Sequence, residues 1–236
     1  VPALLLPGLT LVISPLISLM QDQVKGLNAA GIHAAFINSS LTETQIARAL
    51  DLAAEGSYKL VYVAPERLES PVFRSFAAGA DISMVTVDEA HCISQWGQDF
   101  RPSYLKILDF IDSLPRRPIV SAFTATATRE VKDDIVCTLR LHDPKVLVTG
   151  FDRPNLYFQV ERIRRKDDFV IQYLRDHPGE SGIIYCATRK TTEALADTLN
   201  QMGHPAVAYH GGMSPDAREV AQRDFITDKV PVVVAT

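Results

Sequence analysis

Two carboxylates at the end of an apolar run are the residues in this chain best suited to chemistry. Asp88 and Glu89 follow Ser83-Met84-Val85-Thr86-Val87, and His91 stands two positions further on. The run before them favours a short buried strand. In open parallel α/β sheets, ligands bind beyond the carboxyl ends of the strands, so an acid pair there is placed to act. An aspartate at that place holds magnesium on nucleotide phosphates in P-loop hydrolases, and a neighbouring glutamate can orient the attacking water. A solvated acidic turn would carry the same two residues, and the pair alone does not separate the two readings.

The residues that follow narrow the choice. Cys92-Ile93-Ser94-Gln95-Trp96-Gly97-Gln98-Asp99-Phe100-Arg101-Pro102 holds the only tryptophan, with Gly97 and Pro102 opposing a regular helix. Trp96, Phe100 and Arg101 on a loop suit base stacking and phosphate contact. An indole that anchors the loop into the core is the other reading. From Asp88 to Pro102 the chain resembles the RecQ family of ATP-dependent DNA helicases. There the acidic motif runs directly into an aromatic-rich loop that couples DNA binding to ATP hydrolysis. Gln98 departs from that pattern, in which His is usual.

The resemblance continues along most of the sequence. Ser14-Pro15-Leu16-Ile17-Ser18-Leu19-Met20-Gln21-Asp22-Gln23 is similar to the motif after the phosphate loop, and Ala64-Pro65-Glu66-Arg67-Leu68 to a first-lobe DNA motif. Phe123-Thr124-Ala125-Thr126-Ala127 resembles the motif that links hydrolysis to unwinding. Phe151-Asp152-Arg153-Pro154-Asn155 is similar to a segment typical of RecQ proteins. Ile184-Tyr185-Cys186-Ala187-Thr188-Arg189 and Tyr209-His210-Gly211-Gly212-Met213 resemble second-lobe motifs. Seven such segments in the family's order are specific where each alone is modest.

The resemblance implies two RecA-like lobes, a catalytic group of Asp88, Glu89 and His91, and ATP with Mg²⁺, the ion held through Asp88. It implies coupling through Gln95, Thr124, Ala125 and Thr126. For nucleic acid it implies Ser14, Pro15, Ser18, Pro65 and Arg67, then Trp96, Phe100 and Arg101. In the second lobe it adds Arg153, Thr188, Arg189, His210 and Gly211. The expected partner is single-stranded and partly duplex DNA, unwound 3′ to 5′ in recombination and repair, in a bacterial cytoplasm or a nucleus. A nucleic-acid-binding module without turnover and an RNA helicase of the same superfamily are the alternatives; the loop after His91 speaks against the second. Read without the family, Ser14, Thr124 and Thr188 could simply cap helices, and His210 before two glycines fits a turn. Arg162, Arg164, Arg165 and Lys166 read as a solvated run.

Those residues need elements to hold them. The 236 residues suffice for one large domain or two smaller ones, and 47% apolar content allows a sizeable core. Net charge is -4, and residues 1–150 carry 13 Lys and Arg against 16 Asp and Glu, residues 151–236 carry 11 against 12. Composition therefore offers no basic half, and any basic groove must be built by folding. Cys92, Cys137 and Cys186 show no CxxC spacing, which suits a reducing compartment without a zinc site. Pro2, Pro7 and Pro15 break the uncharged first 20 residues into pieces too short for a membrane span.

Strands are expected at Leu9–Ser14, Ile32–Ile37, Leu60–Val63, Ser83–Val87, Ile119–Ala122 and Val146–Thr149. Helices lie between them, notably one opened by a Thr42/Gln45 capping box. After a boundary near Gly150, strands are expected at Leu156–Glu161, Gly182–Cys186, Ala206–Tyr209 and Pro231–Ala235, with helices at Phe169–Arg175, Thr191–Met202 and Asp216–Ile226. The alternation predicts an α/β fold: two doubly wound parallel sheets, a first lobe over 1–150 and a second over 151–236. No G-x-x-x-x-G-K-[ST] phosphate loop occurs. The family places one just before Val1, so the chain reads as a piece of the helicase core, truncated at both ends; a degenerate scaffold is the alternative.

Overall fold

The computed structural model describes residues 1–97, 99–149 and 153–236. The unusual Gln98, the boundary glycine Gly150, and Phe151 and Asp152 of the expected RecQ segment lie outside the described residues. Two compact units are present, Val1–Thr149 and Gly150–Thr236.

The first unit opens with a short helix α1 (Pro2–Leu5) and strand β1 (Leu9–Ile13). Then come α2 (Ile17–Ala29), β2 (Ala34–Ile37), α3 (Glu43–Ala54), β3 (Leu60–Val63), α4 (Pro71–Gly79) and β4 (Ile82–Val87). After the aromatic-rich segment follow α5 (Lys106–Asp112), β5 (Ile119–Ala122) and α6 (Arg129–Thr138). The five strands are all parallel in the order β2-β3-β1-β4-β5. β1 lies in the middle because Leu9-Thr10-Leu11-Val12-Ile13 carries no charge and can be buried on both faces, as all five residues are. Phe73, Phe110, Tyr104 and Leu68 pack against the sheet in the main core.

Register decides where the motifs emerge. Ile37 pairs with Val63, Val63 with Ile13, Ile13 with Val87 and Val87 with Ala122, so all five strands end level. Asn38, Ala64, Ser14, Asp88 and Phe123 therefore leave the sheet at one height, on the edge where α/β folds bind ligands.

The second unit contains α7 (Lys166–Asp176), β6 (Gly182–Tyr185), α8 (Arg189–Gln201), β7 (Ala206–Tyr209), α9 (Pro215–Ile226) and β8 (Val232–Ala235). Its parallel sheet runs β6-β8-β7, the same arrangement as β1-β3-β2. The match extends to single hydrogen bonds. Asn28 holds both backbone groups of Ala34, and Asn200 does the same to Ala206. The sequence separation from Asn28 to Asn200 also joins Gly31 to Gly203, both at positive φ, and the helix-capping Thr42 to Ser214.

Two expected strands are absent. Val146–Thr149 and Leu156–Glu161 enter no ladder, and Leu147, Tyr157 and Phe158 are exposed. A strand persists only beside a partner edge, and neither segment finds one among the described residues. In the other direction, α5 was not expected; its Ile107, Phe110 and Ile111 are buried, but seven residues without a side-chain cap give little periodic signal. The Thr42/Gln45 capping box forms as expected. No helix among the described residues is long and apolar enough to cross a membrane.

Candidate active site and nucleic-acid loop

The acid pair sits on a bent corner. Asp88 N–H still donates to Ile13 O (2.8 Å), so Asp88 ends the β4 ladder. Glu89 then takes a left-handed conformation (φ 46°, ψ 45°), which non-glycine residues adopt only when the surroundings hold them there. Ala90 N–H donates to Phe123 O (2.9 Å), and a 3₁₀ turn runs from Ala90 to Ile93.

Asp88 is braced by neighbours. Its Oδ2 accepts the Ser14 hydroxyl at 3.0 Å, its Oδ1 accepts Glu89 N–H at 3.0 Å, and its carbonyl accepts the Tyr104 hydroxyl at 2.9 Å. Ser14 is 1% exposed and caps no helix, so its hydroxyl serves the acid and is not presented outward. Pro15 and Ser18 lie just beyond it, partly or fully exposed.

His91 joins the two strand ends. Its Nδ1 lies 2.8 Å from Thr124 Oγ1 and 3.3 Å from Glu89 Oε2. Thr124 Oγ1 donates to Thr126 O and accepts from Thr126 N–H, so Thr124 also caps nothing; Thr128 caps α6 instead. Ala125 and Thr126 continue this polar turn. Asp88, Glu89, His91 and the Thr124–Thr126 turn are thus brought together.

The loop after Cys92 closes on itself. Arg101 N–H donates to Cys92 O (2.9 Å), and Ser94 Oγ donates to Asp134 Oδ2 on α6 (2.6 Å). Gly97 lies against the His91 carbonyl, where a Cβ would collide with backbone. Trp96 is 79% exposed, so it is not a core anchor, and Gln95 beside it is exposed as well. Phe100 is half-buried. Arg101 is engaged by Asp99 Oδ2 at 2.8 and 3.0 Å, and that guanidinium holds the Asp99 carboxyl below its ordinary value. Burial pushes the Cys92 thiol up to about 11, with the Asp99 charge adding to the effect.

At the end of β3, Pro65 opens a 3₁₀ turn and Arg67 Nη2 donates to Asn38 O (3.3 Å). In the second unit, Thr188 caps α8 through Thr191, the plainer of its two expected roles. The Arg189 guanidinium lies against Gly212 and near Gly211. His210 is buried; it donates from Nε2 to Glu193 Oε1 (3.0 Å) and accepts Gly212 N–H at Nδ1 (3.2 Å). Arg153 is exposed and outside any element. A cavity of about 340 Å³ in this unit is lined by His204, Pro205, Pro231 and Val232, at the opposite ends of the strands. Sequence reasoning missed Tyr104 and Asn38, because only folding reveals the bonds each makes.

A family model described as DEAD/DEAH box helicase matches residues 3–134, and one described as helicase conserved C-terminal domain matches residues 165–236. Over its full length the chain is 46% identical to the ATP-dependent DNA helicase RecQ of Bacillus subtilis (strain 168), covering 40% of that protein. It is 44% identical to the protein of the same name from Pasteurella multocida (strain Pm70), covering 37% of it. The chain thus spans well under half the length of these relatives. Among solved structures, the Mycobacterium smegmatis helicase Lhr bound to ssDNA and AMP-PNP matches with a TM-score of 0.68 at 17% identity, over 97% of this chain and 34% of that one. S. cerevisiae Dbp5 L327V bound to RNA and ADP BeF3 matches with a TM-score of 0.66 at 18% identity, over 97% of this chain and 57% of that one. At such identities these two show the fold alone: two RecA-like lobes.

Proposed function

The chain belongs to the DEAD/DEAH box helicases, RecQ-like along its whole length, and on that premise we propose that it works as the motor core of an ATP-dependent DNA helicase. The observation that carries this reading is the bonded series Ser14–Asp88–Glu89–His91–Thr124, with the exposed Trp96 on the loop that leaves the same strand end. A purely structural acidic turn would not need a left-handed glutamate tied to a histidine and a second strand end.

Within this proposal, Asp88 would hold Mg²⁺ on the phosphates of bound ATP. No group of three or more His, Cys, Asp or Glu side chains that could hold a metal occurs among the described residues. The strand-end carboxylate of Asp88 suits Mg²⁺, which keeps several waters and is carried by one or two carboxylates and the phosphates. When bound, the ion neutralises charge on the phosphates. Glu89 orients the attacking water, and the His91–Thr124 bond passes the state of that site to the nucleic-acid side. Trp96 and Phe100 stack on bases; Arg101 reaches phosphate by exchanging its bond to Asp99. Pro15, Ser18 and Arg67 beside the strand ends of the first lobe, Arg189 and Gly211 beside those of the second, and the exposed Arg153 serve as further nucleic-acid contacts, with the buried Pro65 and His210 and the capping Thr188 shaping those turns from behind. DNA is favoured over RNA by the loop after His91 and by the named activity of the relatives, since the fold is shared with proteins solved on either nucleic acid. The 3′-to-5′ direction, and work in recombination and repair where the cell keeps its DNA, follow from the same reading.

The test is strand displacement by the whole helicase that contains this chain, with ATP and Mg²⁺ on a 3′-tailed duplex. Unwinding and DNA-stimulated phosphate release, both lost in Asp88→Ala, are expected. DNA binding without any nucleotide turnover would favour the passive module, and preference for an RNA duplex would favour the RNA helicase.

A further inference from the structure

Tyr104 is the largest fully buried side chain in the first unit, and its hydroxyl reaches an unusual acceptor. It donates to the carbonyl of Asp88 at 2.9 Å. That carbonyl belongs to the peptide between Asp88 and Glu89, whose N–H is held by Asp88 Oδ1 and not by a neighbouring strand. On one side the corner is held by Asp88 N–H on Ile13 O, and beyond it by Ala90 N–H on Phe123 O. The peptide at the corner is held by the phenol. With Tyr104 0% exposed, water is badly placed to substitute on its side, and an unmade bond would leave a partly buried carbonyl without this partner. Burial also raises the phenol well above its ordinary value, so the O–H remains a donor at any physiological pH.

The hydroxyl arrives from the far end of the aromatic-rich loop. Arg101 N–H closes that loop on Cys92 O, and Tyr104 N–H then donates to Arg101 O within the Pro102–Leu105 turn. One side chain therefore joins the exit of the loop to the peptide whose orientation decides where the Glu89 carboxylate stands. We propose that Tyr104 is a positioning residue, whose hydroxyl sets the Asp88–Glu89 peptide, aims Glu89, and ties that aim to the loop carrying Trp96. This rests on the reading of Asp88 and Glu89 as the hydrolytic pair. The plainer role, a ring that fills the core, needs no hydroxyl.

Tyr104→Phe separates the two, because it keeps the ring and removes one oxygen. In the whole helicase, maximal DNA-stimulated ATP turnover should fall about tenfold or more, with KM for ATP and affinity for single-stranded DNA within about twofold, the pattern of an interaction used only in the reaction. In the same whole helicase, amide exchange at Glu89 and Ala90 should accelerate by about tenfold while β1 and β3 stay protected. Unchanged turnover and unchanged exchange at the corner would overturn the proposal. So would faster exchange spread evenly over the unit, the sign of lost packing. If the wild-type helicase shows no ATP turnover while exchange at Glu89 and Ala90 still rises in Tyr104→Phe, the hydrolase reading fails and the positioning of the corner stands.

Discussion

His91 Nδ1 lies 2.8 Å from Thr124 Oγ1, which joins the turn after β4 to the turn after β5. The Thr124 hydroxyl already donates to the Thr126 carbonyl, so it accepts here and Nδ1 of His91 carries the hydrogen. The same N–H faces Glu89 Oε2 at 3.3 Å, and the acid and the threonine share one donor. A change at either acceptor is felt at the other.

Thr124→Val keeps the β-branched shape and removes the acceptor. The bond is partly buried and its loss costs about 1 kcal/mol, and the donor can then turn wholly to Glu89. Unwinding by the whole helicase should fall by about 10-fold or more while KM for ATP changes less than about threefold, and Thr124→Ser should restore most of it. Equal unwinding by the valine and wild-type proteins would remove the coupling role.

Glu89 carries both charge and strain. Glu89→Gln should preserve ATP and DNA binding and lower hydrolysis by roughly 10²-fold or more, as loss of a proton-handling group does. Glu89→Gly should also stop hydrolysis, yet leave urea stability unchanged or up to about 1 kcal/mol higher, because glycine accepts positive φ freely. A marked loss of stability in the glycine variant would show that the side chain, and not the reaction, requires that corner.

Trp96 is exposed, so its removal should spare the fold. Trp96→Ala should keep the melting temperature within about a degree or two, since exposed substitutions cost little. Single-stranded DNA should bind about 10- to 100-fold more weakly, from a stacking contribution of roughly 1–3 kcal/mol, and most of the stimulation of hydrolysis should vanish. Fluorescence anisotropy and calorimetry on one preparation read both effects. Undiminished DNA binding would take the indole out of the interface.

Cys92 gives a pH signature. Its thiol is pushed above the ordinary 9.0 to about 11 by burial first and by Asp99 second, so the folded state favours the neutral form. Between those values the folded chain holds a proton that the unfolded chain releases, and stability should fall as pH rises from about 9 towards 11. Below that window the contribution is complete. Iodoacetamide at pH 8 should label the exposed Cys137 and leave Cys92 untouched. Cys92→Ala should lessen the loss of stability between pH 9 and 10, below the range in which the buried Tyr104 and Tyr62, both raised from an ordinary 10.0, add their own; an unchanged slope there would assign it to other groups.

Local chemistry alone determined much of this protein. Apolar runs of four to six residues marked every strand among the described residues, Thr42 with Gln45 marked a helix start, and Asp88-Glu89 marked the strand end where the polar turns after β1, β4 and β5 meet. These signals are legible because propensity, capping and periodicity act within a few residues. Tertiary structure decided what depends on distant partners. Val146–Thr149 and Leu156–Glu161 have strand-like residues, yet no edge pairs with them. Trp96 could have been core or surface, and only the closure of Arg101 on Cys92 placed it outside. Ser14, Thr124 and Thr188 looked alike as possible caps; only Thr188 caps a helix, because level strand ends turned Ser14 to Asp88 and Thr124 to His91. Tyr104 gave no signal at all, since its hydroxyl matters only where folding has brought the Asp88 carbonyl to meet it. Backbone pairing and buried hydrogen bonds are properties of two segments at once, and neither segment states them by itself.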